Sequence, residues 1–239
     1  MKKTSKLGTF PSYVTGAWKQ TLATLYPGIP FKPGKTGALV LIPGAMCTSS
    51  VMNRLGLKLQ RHGLKVCVPP SFPYFLSALA NTCRLGKAAA AYLDWLDGLS
   101  KLYGIREVDV VGHSNGGLIA LLAQDLIDSQ ERTCRVRMNR LITLASPLRG
   151  FPGARALSPV LPCCRDIAPG SSTLRRTARA RRLLAGCLVA GGDFLIPGWN
   201  QFLDPGRRIL MENFQHMDFI VGSDEKVNRS ANEIARILA

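Results

Sequence analysis

VDVVGHSNGG, residues 108–117, decides the fold. A short apolar run ends at Gly112, and from Asn115 to about Ile127 the chain is apolar around most of a helical circumference, so a buried strand turns sharply into a buried helix. Gly112 and Gly116 flank Ser114 in the spacing G-x-S-x-G, with a further glycine at 117. A serine on so tight a turn has strained backbone angles, and side chains at the flanking positions would strike the neighbouring strand and helix; glycine removes them. The turn also leaves Ser114 at a helix N-terminus, where unsatisfied amides and the helix dipole favour developing negative charge. Ser114 is thus a candidate nucleophile.

Strands and helices alternate outward from this turn. ALVLI (38–42), LKVCV (64–68), VDVV (108–111), MNRLITLA (138–145), LLAGCLVA (183–190) and RILME (208–212) read as buried strands. A helix with Val51, Leu55 and Leu59 on one face starts at the Thr48 to Ser50 cap and closes at Gly63. The stripe Leu85, Ala89, Tyr92, Leu96, Leu99 and Tyr103 predicts a long helix ending at Gly104. Ser223 caps a last helix whose Val227, Ala231, Ile234 and Leu238 face inward, and residues 1–36 offer one short helix around Val14 to Leu25. The expected class is α/β, a mostly parallel sheet with helices on both faces and ligands at the carboxyl ends of its strands. No linker divides the 239 residues, so residues 1–239 are read as one domain.

A serine hydroxyl needs a base within hydrogen-bond reach. Of three histidines, His62 precedes a helix-ending glycine and His113 is the variable residue of the turn, expected to point away from the attack site. His216 remains, in a loop between the last strand and the last helix. Asp193, at the end of a buried strand after two glycines, is the candidate acid that holds the imidazole; Asp204, beside Pro205, is the alternative, and Asp218 is too near His216 in sequence. For the developing oxyanion the donors expected are the amide of Asn115 and that of Ala45, with Met46 in its place as the fallback, because Pro43-Gly44-Ala45-Met46 follows the first strand.

The apolar, irregular stretches 71–79 and 151–162 follow strands, so Phe72, Phe75, Phe151 and Leu157 are candidate substrate walls, and residues 151–182 a candidate lid insertion. Nothing in the pattern calls for a metal or another cofactor. The 31 Lys and Arg against 15 Asp and Glu leave a formal charge of +16, which attracts anions in general. No nucleic-acid motif or basic stripe interleaved with aromatics accompanies it, which speaks against nucleic acid. Residues 165–182 hold six arginines and one aspartate, either a patch for peripheral contact with an anionic membrane or a solvated helix face. Seven cysteines, mostly inside apolar runs, suit reduced thiols and a cytoplasmic setting. MKKTSKLGTFPSY is no readable secretory signal, although a chain already trimmed of its leader would look the same.

The segments LVLIPG (39–44), GHSNGG (112–117), LITLASPLRG (141–150), RDIAPGSSTL (165–174), GGDFLIP (191–197) and QHMDFI (215–220) together resemble the α/β-hydrolase superfamily and, within it, the bacterial lipase and esterase branch. The resemblance spans most of residues 37–239. It implies an α/β-hydrolase fold with a reduced N-terminal part and a Ser114, Asp193, His216 triad acting on an ester or lipid through an acyl-enzyme. An acyltransferase using the same acyl-serine, and a catalytically silent basic binding protein on the same fold, are the competing readings. Pro-Gly opens the oxyanion loop where many lipases have His-Gly, and Leu148 replaces a common His.

Overall fold

The computed structural model describes residues 38–67 and 82–239. The helix expected around Val14 to Leu25 and the stretch 71–79, with Phe72 and Phe75, lie outside them.

Six strands form one sheet in the order β2-β1-β3-β4-β5-β6, every neighbouring pair parallel. They are β1 (Ala38–Ile42), β2 (Val66–Cys67), β3 (Glu107–His113), β4 (Arg137–Leu144), β5 (Leu184–Ala190) and β6 (Arg208–Met211). Within the continuous apolar run of β1, Leu39 and Leu41 face one side while Ala38, Val40 and Ile42 face the other, so both faces need cover. On one face lie α2 (Leu85–Tyr103) and α3 (Asn115–Asp128), with Tyr92, Leu96, Leu118 and Leu121 buried against Val40, Val110 and Leu141. On the other lie α1 (Asn53–Arg61) and the last helix, α8 (Asp224–Leu238), which bring Leu55, Leu59, Val227 and Ile234 to Leu41, Val111 and Leu188. Each large side chain so buried contributes about 1.5–3 kcal/mol.

The expected elements are present with shifted ends. Ala145 has a positive φ of 48° and falls outside β4. The helix after β1 begins as a 3-10 turn, Ser49–Met52, whose preceding Thr48 makes no side-chain cap and bonds the Ser50 hydroxyl instead. Tyr103 is 45% exposed at the end of α2, so the inward stripe stops at Leu99. Gly63 and Gly104 end α1 and α2 with φ of 79° and 68°, as left-handed caps require.

Residues 151–182 carry three short helices, α4 (Ala154–Leu157), α5 (Cys163–Asp166) and α6 (Ser172–Arg179). Three of the six arginines in the basic stretch are engaged at the far end of α3. Arg176 and Arg179 converge on Asp125 at 2.6 and 2.8 Å, Arg176 also reaches Glu131 at 2.6 Å, and Arg182 grips Asp128 through both nitrogens at 2.6 Å. Asp125 is buried. Much of this stretch is therefore an internal clamp between α6 and α3 rather than an unpartnered basic face.

The six cysteines with described side chains form no disulfide, and Cys47, Cys163, Cys164 and Cys187 are buried. Burial pushes the Cys47 and Cys163 thiols up to about 12, which suits packed, unreactive groups. Among the described residues no helix is long and apolar enough to cross a membrane.

Candidate active site

The order of the sheet reverses at β1: the chain crosses from it to β2 on one side, then from β2 back past it to β3 on the other. A crevice opens beyond the carboxyl ends of such a strand pair, and Gly44 after β1 and Ser114 after β3 meet there. A Cβ added to Gly44 would fall 2.6 Å from Ser114 Cβ and 3.2 Å from Ser114 Oγ.

Ser114 holds φ 52°, ψ −124°, a left-handed strained conformation for a residue with a side chain. Its N–H donates to the carbonyl of Leu144 in β4 at 2.8 Å. The flanking glycines are required by contact. A Cβ at Gly112 would sit 2.4 Å from the amide of Gly117, and one at Gly116 2.3 Å from the carbonyl of Ile42. The third glycine is equally constrained, since a Cβ at Gly117 would meet Ser146 Oγ at 2.3 Å.

Three side chains distant in sequence converge on this turn. His216 Nε2 lies 3.0 Å from Ser114 Oγ, and its Nδ1 lies 2.7 Å from Asp193 Oδ2. Because only a carboxylate faces Nδ1, that nitrogen carries the proton and Nε2 presents a lone pair to the hydroxyl. All three residues are buried. The loops bearing acid and base are stitched together by backbone: Gly191 N–H donates to Met211 and Gly192 N–H to Phe214, at 3.0 and 2.9 Å. A side chain at Gly192 would intrude on Gln215.

The alternative acid, Asp204, caps a 3-10 turn by accepting from the Gly206 N–H, and Asp218 accepts from Gln215 N–H and Lys226 Nζ. Neither reaches His216. His62 is exposed at the end of α1.

His113 departs from its expectation. It does not point away from the site: its Nε2 donates to the carbonyl of His216 at 2.9 Å, and the two rings lie 5.0 Å apart. Burial, and then the neighbouring His216, push its pKa down to about 3, so its ring is neutral and holds the His216 backbone by that hydrogen bond. Gln201, whose side-chain amide donates to Asp193, is a further site residue that the sequence did not disclose.

Asn115 opens α3 and is buried; Ala45 is partly buried against the α2–α3 core, and Met46 is half-exposed with φ 55°. Phe151 is partly buried, its N–H donating to Ile167, and Leu157 is exposed on α4. Both follow the carboxyl end of β4. Among the described residues no three His, Cys, Asp or Glu side chains gather as a metal site needs.

The arrangement is a hydroxyl, an imidazole and a carboxylate in one hydrogen-bonded chain at a strand-to-helix turn. A model of the alpha/beta hydrolase family matches residues 39–227. The chain belongs to the alpha/beta hydrolase family. No curated protein matches it in sequence. In structure this hydrolase is similar to the mature lipase BlEst2 of Bacillus licheniformis, with TM-score 0.57 and 15% identity over 82% of this chain and 90% of that one. It is also similar to the metagenome-derived lipolytic enzymes LipS and LipT (TM-score 0.58, 14% identity, 88% and 97% covered). A monoacylglycerol lipase of Paleococcus ferrophilus aligns with TM-score 0.54 and 15% identity over 87% and 100% of the two chains. At such identities the likeness establishes the fold.

Proposed function

We propose that this hydrolase is a serine carboxylester hydrolase, an esterase or lipase, working through an acyl-enzyme on Ser114. One observation carries the reading: the unbroken relay from Ser114 Oγ to His216 Nε2 at 3.0 Å and from His216 Nδ1 to Asp193 at 2.7 Å.

In the first half-reaction Ser114 Oγ bonds to the ester carbonyl carbon while its proton passes to His216 Nε2, and the carbonyl oxygen takes the electron pair. The amide of Asn115, at the positive end of α3, and that of Ala45, or of Met46 in its place, receive this oxyanion. Collapse breaks the bond to the leaving alcohol, which departs with the proton from His216. Water then repeats the sequence on the acyl-serine and returns the hydroxyl. Asp193 stabilises the imidazolium in both halves without taking its proton.

Phe151 and Leu157, with Phe72 and Phe75, are assigned as apolar walls for the acyl group of an ester or lipid, with residues 151–182 forming a lid insertion on a single domain. The fold likeness to these lipolytic enzymes supports this substrate class.

The test is labelling with a fluorophosphonate probe, with Ser114→Ala as the control, followed by a chain-length series of p-nitrophenyl esters. Labelling lost in Ser114→Ala, with ester turnover, is expected; an unlabelled wild-type protein refutes the reading in favour of a silent binding protein. Transfer to an added alcohol exceeding hydrolysis would make the protein an acyltransferase instead.

A further inference from the structure

Asp193 lies between β5 and a short 3-10 turn, Gly198–Asn200, and its side chain is fully shielded from solvent. A carboxylate buried without partners takes up a proton rather than stay charged. This one meets four donors. Oδ1 accepts the backbone N–H groups of Leu195 and Ile196, both at 2.9 Å. Oδ2 accepts His216 Nδ1 at 2.7 Å and the side-chain amide of Gln201 at 3.1 Å. The four roughly fill the lone-pair sites of an ionised carboxylate.

Gln201 is the one side chain besides His216 in that set, and it is completely buried. Its amide orientation follows from its partners. The Ala190 N–H at the end of β5 donates to Oε1 at 2.8 Å, so Nε2 faces the other way, donating to Asp193 Oδ2 and to the carbonyl of Ile196 at 2.6 Å. Each of these three contacts uses a different capacity of the one amide. The turn that carries Gln201 is itself fixed: Arg149 N–H donates to the Asn200 carbonyl at 3.0 Å, and Phe202 lies beneath the guanidinium groups of Arg149 and Arg208 at 5.2 and 5.3 Å.

We infer that Gln201 is the positioning residue of the acid: its side-chain amide donates to Asp193, aims Oδ2 at His216 and tethers the acid loop to the end of β5. The inference rests on the triad reading of the preceding section. It follows that Gln201 sets the basicity of His216 without touching substrate. With the amide gone, Oδ2 loses a donor, more of its negative charge falls on the imidazole, and His216 becomes easier to protonate.

The experiment compares wild type with Gln201→Met, which keeps bulk and removes the donors, and Gln201→Glu, which is isosteric. Two readouts are taken. In the first, the His216 imidazole is titrated by NMR in the resting protein, a measurement that needs no turnover and has only His62 and His113 as other histidines. The midpoint is expected to rise in Gln201→Met. It should also rise in Gln201→Glu, whether the new carboxyl is ionised and adds charge or is protonated and supplies a single hydrogen to two acceptors. The second readout is the pH profile of kcat/KM for a p-nitrophenyl ester, whose acid limb should move with that midpoint while KM stays within about twofold and kcat falls about tenfold.

A merely structural Gln201 would lower activity in step with the folded fraction at every pH and leave the titration where it is in wild type. An unmoved midpoint in folded Gln201→Glu overturns the inference even if Gln201→Met fails to fold. A wild-type protein that escapes fluorophosphonate overturns the proposed function instead, and the NMR titration still decides whether Gln201 controls His216.

Discussion

Gly44→Ala tests how closely the loop after β1 is fitted to the nucleophile. The added methyl would fall 2.6 Å from Ser114 Cβ and 3.2 Å from both Ser114 Oγ and the His113 carbonyl. Carbon atoms pack at about 3.5–4.0 Å, so one partner must give way by about 1 Å. Ser114 is poorly placed to do so, because its strained backbone is held by the bond to Leu144 and by the packing of Gly112 and Gly116. The loop carrying Ala45 and Met46 must therefore lift from the oxyanion position. A misplacement of about 1 Å costs on the order of 100-fold in rate, or about 2.7 kcal/mol of transition-state stabilisation, while overpacking destabilises the fold by about 1–3 kcal/mol. The assay is the second-order rate of fluorophosphonate labelling, beside kcat/KM for a p-nitrophenyl ester and a thermal melt. Gly98→Ala in α2, where an added Cβ meets nothing within 4 Å, is the control and should stabilise by about 0.5–1 kcal/mol with labelling unchanged. Labelling of folded Gly44→Ala within twofold of wild type would refute the argument.

Two further outcomes are expected. His113 resists protonation until about pH 3 in the native state against an ordinary value of 6.5, so below about pH 6.5 the unfolded chain binds a proton that the native chain refuses. Stability is then lost as pH falls, by up to about 1.4 kcal/mol per unit; His113→Gln, which keeps a donor for the His216 carbonyl, should lose up to about 2 kcal/mol less between pH 7 and pH 5 in urea titrations. Asp125→Ala removes the shared partner of Arg176 and Arg179, whose side chains are 31% and 63% exposed and can turn to water. Urea unfolding should show a loss of about 1–3 kcal/mol rather than that of a fully buried pair, with ester kinetics unchanged because Asp125 lies about 15 Å along α3 from Ser114.

What could be read from the sequence is what local sterics and chain order dictate. Gly112 and Gly116 announce the turn because no other residue fits within 2.4 Å of a backbone atom. The continuous apolar run of β1 and the stripe of α8 report their own burial. Gln201 gave no such signal: it stands among Trp199, Asn200 and Phe202, and only the folded turn selects which polar group points inward. His113 was misjudged because a residue's sidedness at a strand end depends on the loop that later packs over it, here the one bearing His216. The arginines at 176, 179 and 182 looked like surface charge because their acids, Asp125 and Asp128 on α3 and Glu131 just after it, lie some fifty residues earlier.

That distant pairing bears on how the site can open. α3 runs from the nucleophile at its N-terminus to the clamped acids at its other end, so α6 is bolted to the side of the molecule away from the crevice. The buried Asp166 adds a second bolt, accepting Arg84 through Nε and Nη2, the Leu85 N–H and the Thr173 hydroxyl, all within 3.0 Å. Opening α5 and α6 together would strand two buried carboxylates, each a cost of several kcal/mol. Residues 151–162 strand no carboxylate: Leu157 and Val160 are exposed, Ala154 alone is fully buried there, and the ties to the later part of the insertion include the backbone bond from Phe151 to Ile167 and one from the Arg155 guanidinium to the Pro169 carbonyl. If the insertion acts as a lid, the moving part is therefore α4 and the turn after it, hinged ahead of Cys163, with α5 and α6 as its fixed base.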